Sequence, residues 1–407
     1  MAILLAIISM TIPVLGFCLT LVYFQQYKHV LISALLCGLA ASGAMYGYVP
    51  DIGNDIFRHM ENMTLYEEIP LWDAFDLMKT DISHISTVYT WDIWLWIVAQ
   101  CDNPMILQAS GAFVGFSIIS YMIFLQSKRY DSFMGQWLPI YFISLFSFPP
   151  LEIAIGIRSA CAFLLCVMGV YLYSIRQIHH MFLFILFLIA IFLHHAAILF
   201  AILWLILPAF RIYQKSIALI IVLLLLAFNN FQAYLTFFSG GSIFSDLMGS
   251  TMYSAAAYQE GGFNDSFHAL ASMALRWGYS ALLLFTIWYS FIREQKNIHI
   301  EDANLQLFSY MLIIFIVATA FLFIIGNNGL RYLGAIDILA CLLLFRILSI
   351  DNKSMWFRKG KLGLSQAILL SGAMMQLSLY LYDMSWGTAS LKSFFISLIT
   401  GYFSSIF

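Results

Sequence analysis

The chain is a succession of long apolar runs separated by short polar breaks. Stretches such as 217–227 and 311–325 are apolar on every face, with no alternation of apolar and polar positions. Alternation with a period of two would mark the strands of a membrane barrel. Runs that are apolar all round mark helices surrounded by lipid or by other helices. Crossing about 30 Å of hydrocarbon takes roughly 20 helical residues. Apolar runs fall at 2–24, 30–49, 105–125, 135–149, 158–175, 181–193, 196–210, 215–237, 269–292, 305–325, 332–350 and 362–382. The pattern predicts an all-α, polytopic transmembrane helix bundle of about 12 spans, forming one integral membrane unit over residues 1–407.

Composition agrees with lipid as the solvent. The chain is 62% hydrophobic and only 10% charged, with a mean hydropathy of +0.88. Soluble domains carry about 25% charged residues. No Lys- or Arg-rich tract suggests nucleic acid, and no GxGxxG or P-loop suggests a nucleotide. The six cysteines form no CxxC pair and mostly sit inside apolar runs, so they read as small buried hydrophobes. No metal cluster or cofactor motif is legible. The first run lacks a basic leader and a small-residue cleavage site, and is expected to be an uncleaved span.

Orientation follows from Lys and Arg in short loops, which stay cytoplasmic. Such residues are Lys28, Lys128, Arg129, Arg176, Arg211, Lys215, Arg293 and Lys296, followed by the cluster Lys353, Arg358, Lys359 and Lys361. All fall on one side if the first span starts outside and the stretch Met181–Phe210 is a hairpin of two short helices meeting at His194 and His195. One long tilted helix there would place the Lys353–Lys361 cluster outside, so the hairpin is preferred. The polar material then gathers outside in two larger loops, 50–89 and 239–268. The first carries Asp51, Asp55, Glu61, Glu67, Glu68, Asp73, Asp76 and Asp81 against Arg58 and Lys79. Residues 90–100, with Trp91, Trp94 and Trp96, are expected to form an interfacial or re-entrant helix at headgroup depth. The tail 389–407 either lies on the membrane or crosses it.

The candidate chemistry lies at the outer ends of the spans. Arg158 opens its span in Ile157-Arg158-Ser159-Ala160-Cys161-Ala162. A guanidinium there can snorkel to the interface, or it can grip a phosphate through its planar fork. His194 and His195 end an apolar run, where histidines serve as caps or in chemistry. Adjacent helical residues point about 100° apart, which makes a shared metal ion a weak reading. Arg331 enters the next span from Gly326-Asn327-Asn328-Gly329-Leu330. Arg276 lies one to two turns inside its span, where an arginine is costly and faces a partner or a cavity. Together these residues suit a lipid-linked anionic substrate, above all a pyrophosphate, with a carboxylate as general base.

The elements Gly53-Asn54-Asp55, Ile157-Arg158-Ser159-Ala160-Cys161-Ala162 and Leu193-His194-His195-Ala196-Ala197 resemble those of the Wzy/EpsG group of bacterial polysaccharide polymerases, in order and in spacing. Family members show an outer Gly-x-Asp, an Ile-Arg-Gln-x-x-Ala opening a span and, some 35 residues later, a Phe-His-x-Ser-Ala. The match is closest over Pro149–Pro208. Ser159 stands where Gln is usual and Ala196 where Ser is usual, so neither side chain can act here as the family's residue would. The resemblance implies a GT-C-like fold in a bacterial inner membrane, with the active site facing the periplasm. It also implies transfer of a growing glycan from undecaprenyl pyrophosphate to an incoming lipid-linked repeat unit, without metal or cofactor. By that reading Arg158, His194 and Asp55 are catalytic. Arg158, Arg276, Arg331 and His195 bind the pyrophosphate, and a chain-length regulator protein is a further expected partner. A lipid-linked oligosaccharide flippase, a GT-C transferase using a polyprenyl-phosphate sugar and a histidine-dependent acyltransferase are the alternatives.

Overall fold

A computed structural model describes residues 1–48, 55–74, 89–101, 103–132, 134–148, 156–213, 267–295, 302–325, 330–350 and 396–402, with 153, 372, 374 and 393. Every regular element among the described residues is helical. In chain order they are α1 (Ala2–Thr11), α2 (Pro13–Tyr27), α3 (Val30–Tyr46), α4 (Asp55–Met63), α5 (Tyr89–Ala99), α6 (Met105–Arg129), α7 (Met134–Ser147), α8 (Ile157–Ser174), α9 (His180–Leu193), α10 (Ile198–Ile212), α11 (Phe267–Gln295), α12 (Asp302–Ile325) and α13 (Leu330–Ile350). Four segments are long and apolar enough to cross a bilayer: Met105–Arg129, Ile157–Ser174, His195–Ile212 and Asp302–Thr319. This is a helical membrane protein. The expected spans 215–237 and, apart from 372 and 374, 362–382 lie outside the described residues. So do the second loop up to 266 and the basic cluster 353–361.

The apolar run 2–24 is not one rod. Pro13 has no N–H to donate and crowds the residue before it, driving Ile12 to φ −135° and ψ 75°. The chain bends there, so that α1 folds back until Ser9 lies against Gly16. Small residues let the next helices approach as closely. Gly38 of α3 faces Phe113 and Ser117 of α6, and at the far end of this antiparallel pair Gln108 Nε2 donates to the carbonyls of Met45, at 2.6 Å, and Tyr48. A short C-terminal helix docks on the same group. The Tyr402 hydroxyl lies 2.6 Å from Ser42 Oγ and its ring 4.4 Å from that of Tyr46. Gly401, at φ 53°, presses on the Met10 carbonyl.

Helices α6 and α8 run in the same direction. Gly111 receives Ile157 near their starts, and Tyr171 donates to Gln126 Oε1 at 2.7 Å near their ends. Gln126 in turn donates to the Leu342 carbonyl of α13 at 3.0 Å, joining three helices through one buried amide. Helix α9 returns antiparallel to α8, with Leu183 and Leu186 over Gly169 and His194 beside Phe163. Helix α10 then follows the direction of α8, Phe200 meeting Phe163 and Trp204 meeting Tyr173. The stretch 181–210 is therefore a hairpin. Its turn is at His194, which is extended at φ −156° and ψ 120°.

Among the described residues, the basic residues between helices gather at one end of the bundle. Lys28 Nζ donates to the Ser132 carbonyl at 3.3 Å, just past Arg129. Asn304 donates to the Tyr130 hydroxyl at 3.2 Å, and Arg211 pairs with Asp302 at 2.6 Å. Arg176 follows α8 at the same end. The Arg211 pair is open to solvent and contributes little to stability, but it fixes which loops are neighbours. Arg158 and the His194 turn lie at the opposite end.

The acidic segment expected as the first outer loop is partly folded. In it α4 and the turn Thr64–Tyr66 bury Ile56, Met60, Met63 and Tyr66. The tryptophans of α5 face inward as well. Trp91 is buried, Trp94 donates to Ser110 Oγ at 2.9 Å and Trp96 to the Ile69 carbonyl at 2.8 Å. An indole N–H finds its partner here in the protein instead of in headgroups.

Candidate functional site

Helix α8 starts after Gly156, whose carbonyl accepts from Ser159 Oγ at 3.1 Å. Arg158, in the first turn, is half-buried, and its Cζ stands 5.7 Å from the centre of the Trp91 ring. A guanidinium over an indole face, partly withdrawn from water, is attracted by about 1 kcal/mol. Trp91 is only 2% exposed, so α5 holds this arginine as a wall does and offers no free stacking platform. Trp91 also meets His59 of α4, edge to face at 4.8 Å, and Trp94 at 5.9 Å. Asp55, the first residue of α4, lies one turn before His59 and so on the same helical face. The Asp55 side chain and the preceding Gly53 and Asn54 lie outside the described residues.

His194 and His195 are both half-buried. The backbone leaves the helix at His194, and the His194 side chain caps the turn that follows. Its Nδ1 accepts the Ala196 N–H at 3.2 Å, at the head of the turn His195–Ala197 that leads into α10. His195 Nε2 is buried and has no hydrogen-bond partner among the described residues, and it lies within electrostatic range of Arg158. The two sequence elements, some 35 residues apart, thus meet in space.

Phe163 joins them to a third helix. Its ring contacts His194 at 6.0 Å, Phe200 at 4.9 Å and Tyr332 at 5.0 Å, the last stacked at 18°. Tyr332 adjoins Arg331 in the first turn of α13, so the backbone of Arg331 reaches the same end of the bundle. The Arg331 side chain lies outside the described residues.

Arg276 sits on α11 one turn before Ser280, which donates to Asp337 Oδ1 of α13 at 2.7 Å. The half-buried Arg276 therefore lies on the face of α11 turned toward α13, the helix that Arg331 opens. Asp337 is 2% exposed and Ser280 fully buried. Sequence reasoning passed over Asp337, although a carboxylate inside the apolar run of α13 was itself the signal. Among the described residues no group of three or more His, Cys, Asp or Glu side chains could hold a metal ion.

Chemically, the first cluster offers a fixed cation, two imidazoles and an aromatic wall at one end of an apolar bundle. Low dielectric strengthens any contact made there with an anion. No protein-family model, curated protein or solved structure matches the chain.

Proposed function

We propose that this protein is a glycosyltransferase of the polysaccharide-polymerase type, working at the outer face of a bacterial inner membrane through about a dozen spans in a GT-C-like arrangement. The observation that carries this reading is that Arg158, in the first turn of α8, lies within electrostatic range of His195 at the end of the bundle away from Lys28, Arg129 and Arg211. A cation beside imidazoles at that end suits a pyrophosphate presented by the membrane.

In the reaction, a hydroxyl oxygen of the incoming repeat unit attacks the anomeric carbon of the growing glycan. A new C–O bond forms as the C–O bond to pyrophosphate breaks. The electron pair leaves with undecaprenyl pyrophosphate, and the hydroxyl proton passes to a general base, Asp55 or a histidine. Arg158 neutralises charge where it develops, with Arg331 and Arg276 as further cations and His195 alongside. Fixed donors in such a site are worth more than in water because they need no reorganisation.

Deletion of the gene tests the reading in the cell. Surface polysaccharide on a gel should collapse from a ladder to a single repeat unit. Complete loss of surface repeats would instead indicate the flippase.

A further inference from the structure

We infer that His195, and not its neighbour His194, is the base that takes the acceptor's proton. This rests on the polymerase reading and assigns a role within it. The two rings are used differently. His194 Nδ1 accepts the Ala196 N–H at 3.2 Å and its ring meets Phe163 edge to face at 6.0 Å. A side chain that accepts the N–H two residues on closes a turn, as asparagine commonly does. His194 is thereby tied to the backbone that leads into α10. His195 Nε2 is buried and has no hydrogen-bond partner among the described residues.

That nitrogen therefore points into the protein, and Arg158 of α8 lies within electrostatic range of its ring. Helices α9 and α10 also pack against this turn, and they bring only apolar side chains to this end. A buried polar atom without a partner costs about 1–3 kcal/mol. Native folds keep few such groups, and a catalytic role is one reason they do. In the transfer, the pyrophosphate rests on Arg158 and the acceptor hydroxyl donates to His195 Nε2, the neutral ring carrying its own proton on Nδ1. As the hydroxyl oxygen bonds to the anomeric carbon, its proton passes to Nε2. The electron pair of the breaking C–O bond leaves with undecaprenyl pyrophosphate. The imidazolium so formed stands near a new anion, which stabilises it, and it later gives the proton to water.

One substitution at each position separates the roles, in extension of purified undecaprenyl-pyrophosphate repeat units at matched folded protein. His194→Asn keeps an oxygen where Nδ1 accepts the Ala196 N–H, and should stay within about tenfold of wild type. His195→Gln keeps a polar side chain of similar length that does not titrate, and should fall by about a hundredfold or more. The acid limb of the wild-type pH–rate profile should persist in His194→Asn and vanish in His195→Gln. Where glutamine prevents folding, His195→Asn takes its place with the same expectation. A His195 variant that keeps the wild-type rate, or keeps the acid limb, overturns the assignment. So does a His194→Asn variant that loses as much as His195→Gln. Absence of extension by the wild type removes the polymerase reading itself, and this role with it.

Discussion

Arg158→Ala should lower repeat-unit polymerisation by about a hundredfold or more, equivalent to about 2.7–4 kcal/mol of transition-state stabilisation. The guanidinium stands against the buried Trp91, within electrostatic range of His195, so it is held before substrate arrives. Arg158→Lys keeps a positive charge but loses the planar fork that binds two phosphate oxygens at once, and should recover little of the rate. An arginine that only snorkels to the interface predicts the reverse, because lysine snorkels equally well. Extension rates of wild type and both variants, measured at matched folded protein, separate the two. A lysine variant near the wild-type rate would reduce Arg158 to a point charge.

Phe163→Ala should be the most damaging change that removes no polar group. Phe163 is 1% exposed and touches His194, Phe200 and Tyr332 at once. Truncating a buried phenylalanine costs about 3–5 kcal/mol, through lost contacts and the cavity left behind. Dispersion contacts are lost in lipid as in water, so the penalty persists in a membrane protein. Phe163→Leu, which fills most of the space, should cost much less. Thermal denaturation of the purified protein in detergent reads the effect. An unchanged midpoint for Phe163→Ala would mean that this ring does not tie α8, α10 and α13 together.

Hydropathy made the helices legible, because an apolar run in lipid has few other ways to satisfy its backbone. The turn at His194 was legible for a different reason. Two polar residues interrupt the run 181–210, and only a hairpin there keeps the basic loops on one side; in the structure Lys28, Arg129 and Arg211 share one end of the bundle. The bend at Ile12 had a local signal in Pro13 that hydropathy overrode. The folding of 55–66 into α4 and its following turn was hidden by acidic composition, since Ile56, Met60 and Met63 are sparse among charges yet lie at i, i+4 and i+7. Arg158 and His194 stand out in the sequence as candidates; what holds each of them in the fold does not. Trp91 reaches Arg158, and Tyr332 reaches Phe163, across separations that no local pattern encodes. Asp337 was missed because a single carboxylate barely alters the mean of an apolar window, and its Ser280 partner lies 57 residues away.

The most direct measurement uses the purified wild-type protein, reconstituted in vesicles with undecaprenyl-pyrophosphate repeat units and no other enzyme. Products released from lipid and separated by size should form a ladder of increasing repeat number, with free undecaprenyl pyrophosphate released in step. Repeat units that stay single, in vesicles where the protein is shown to be folded, would contradict a polymerase.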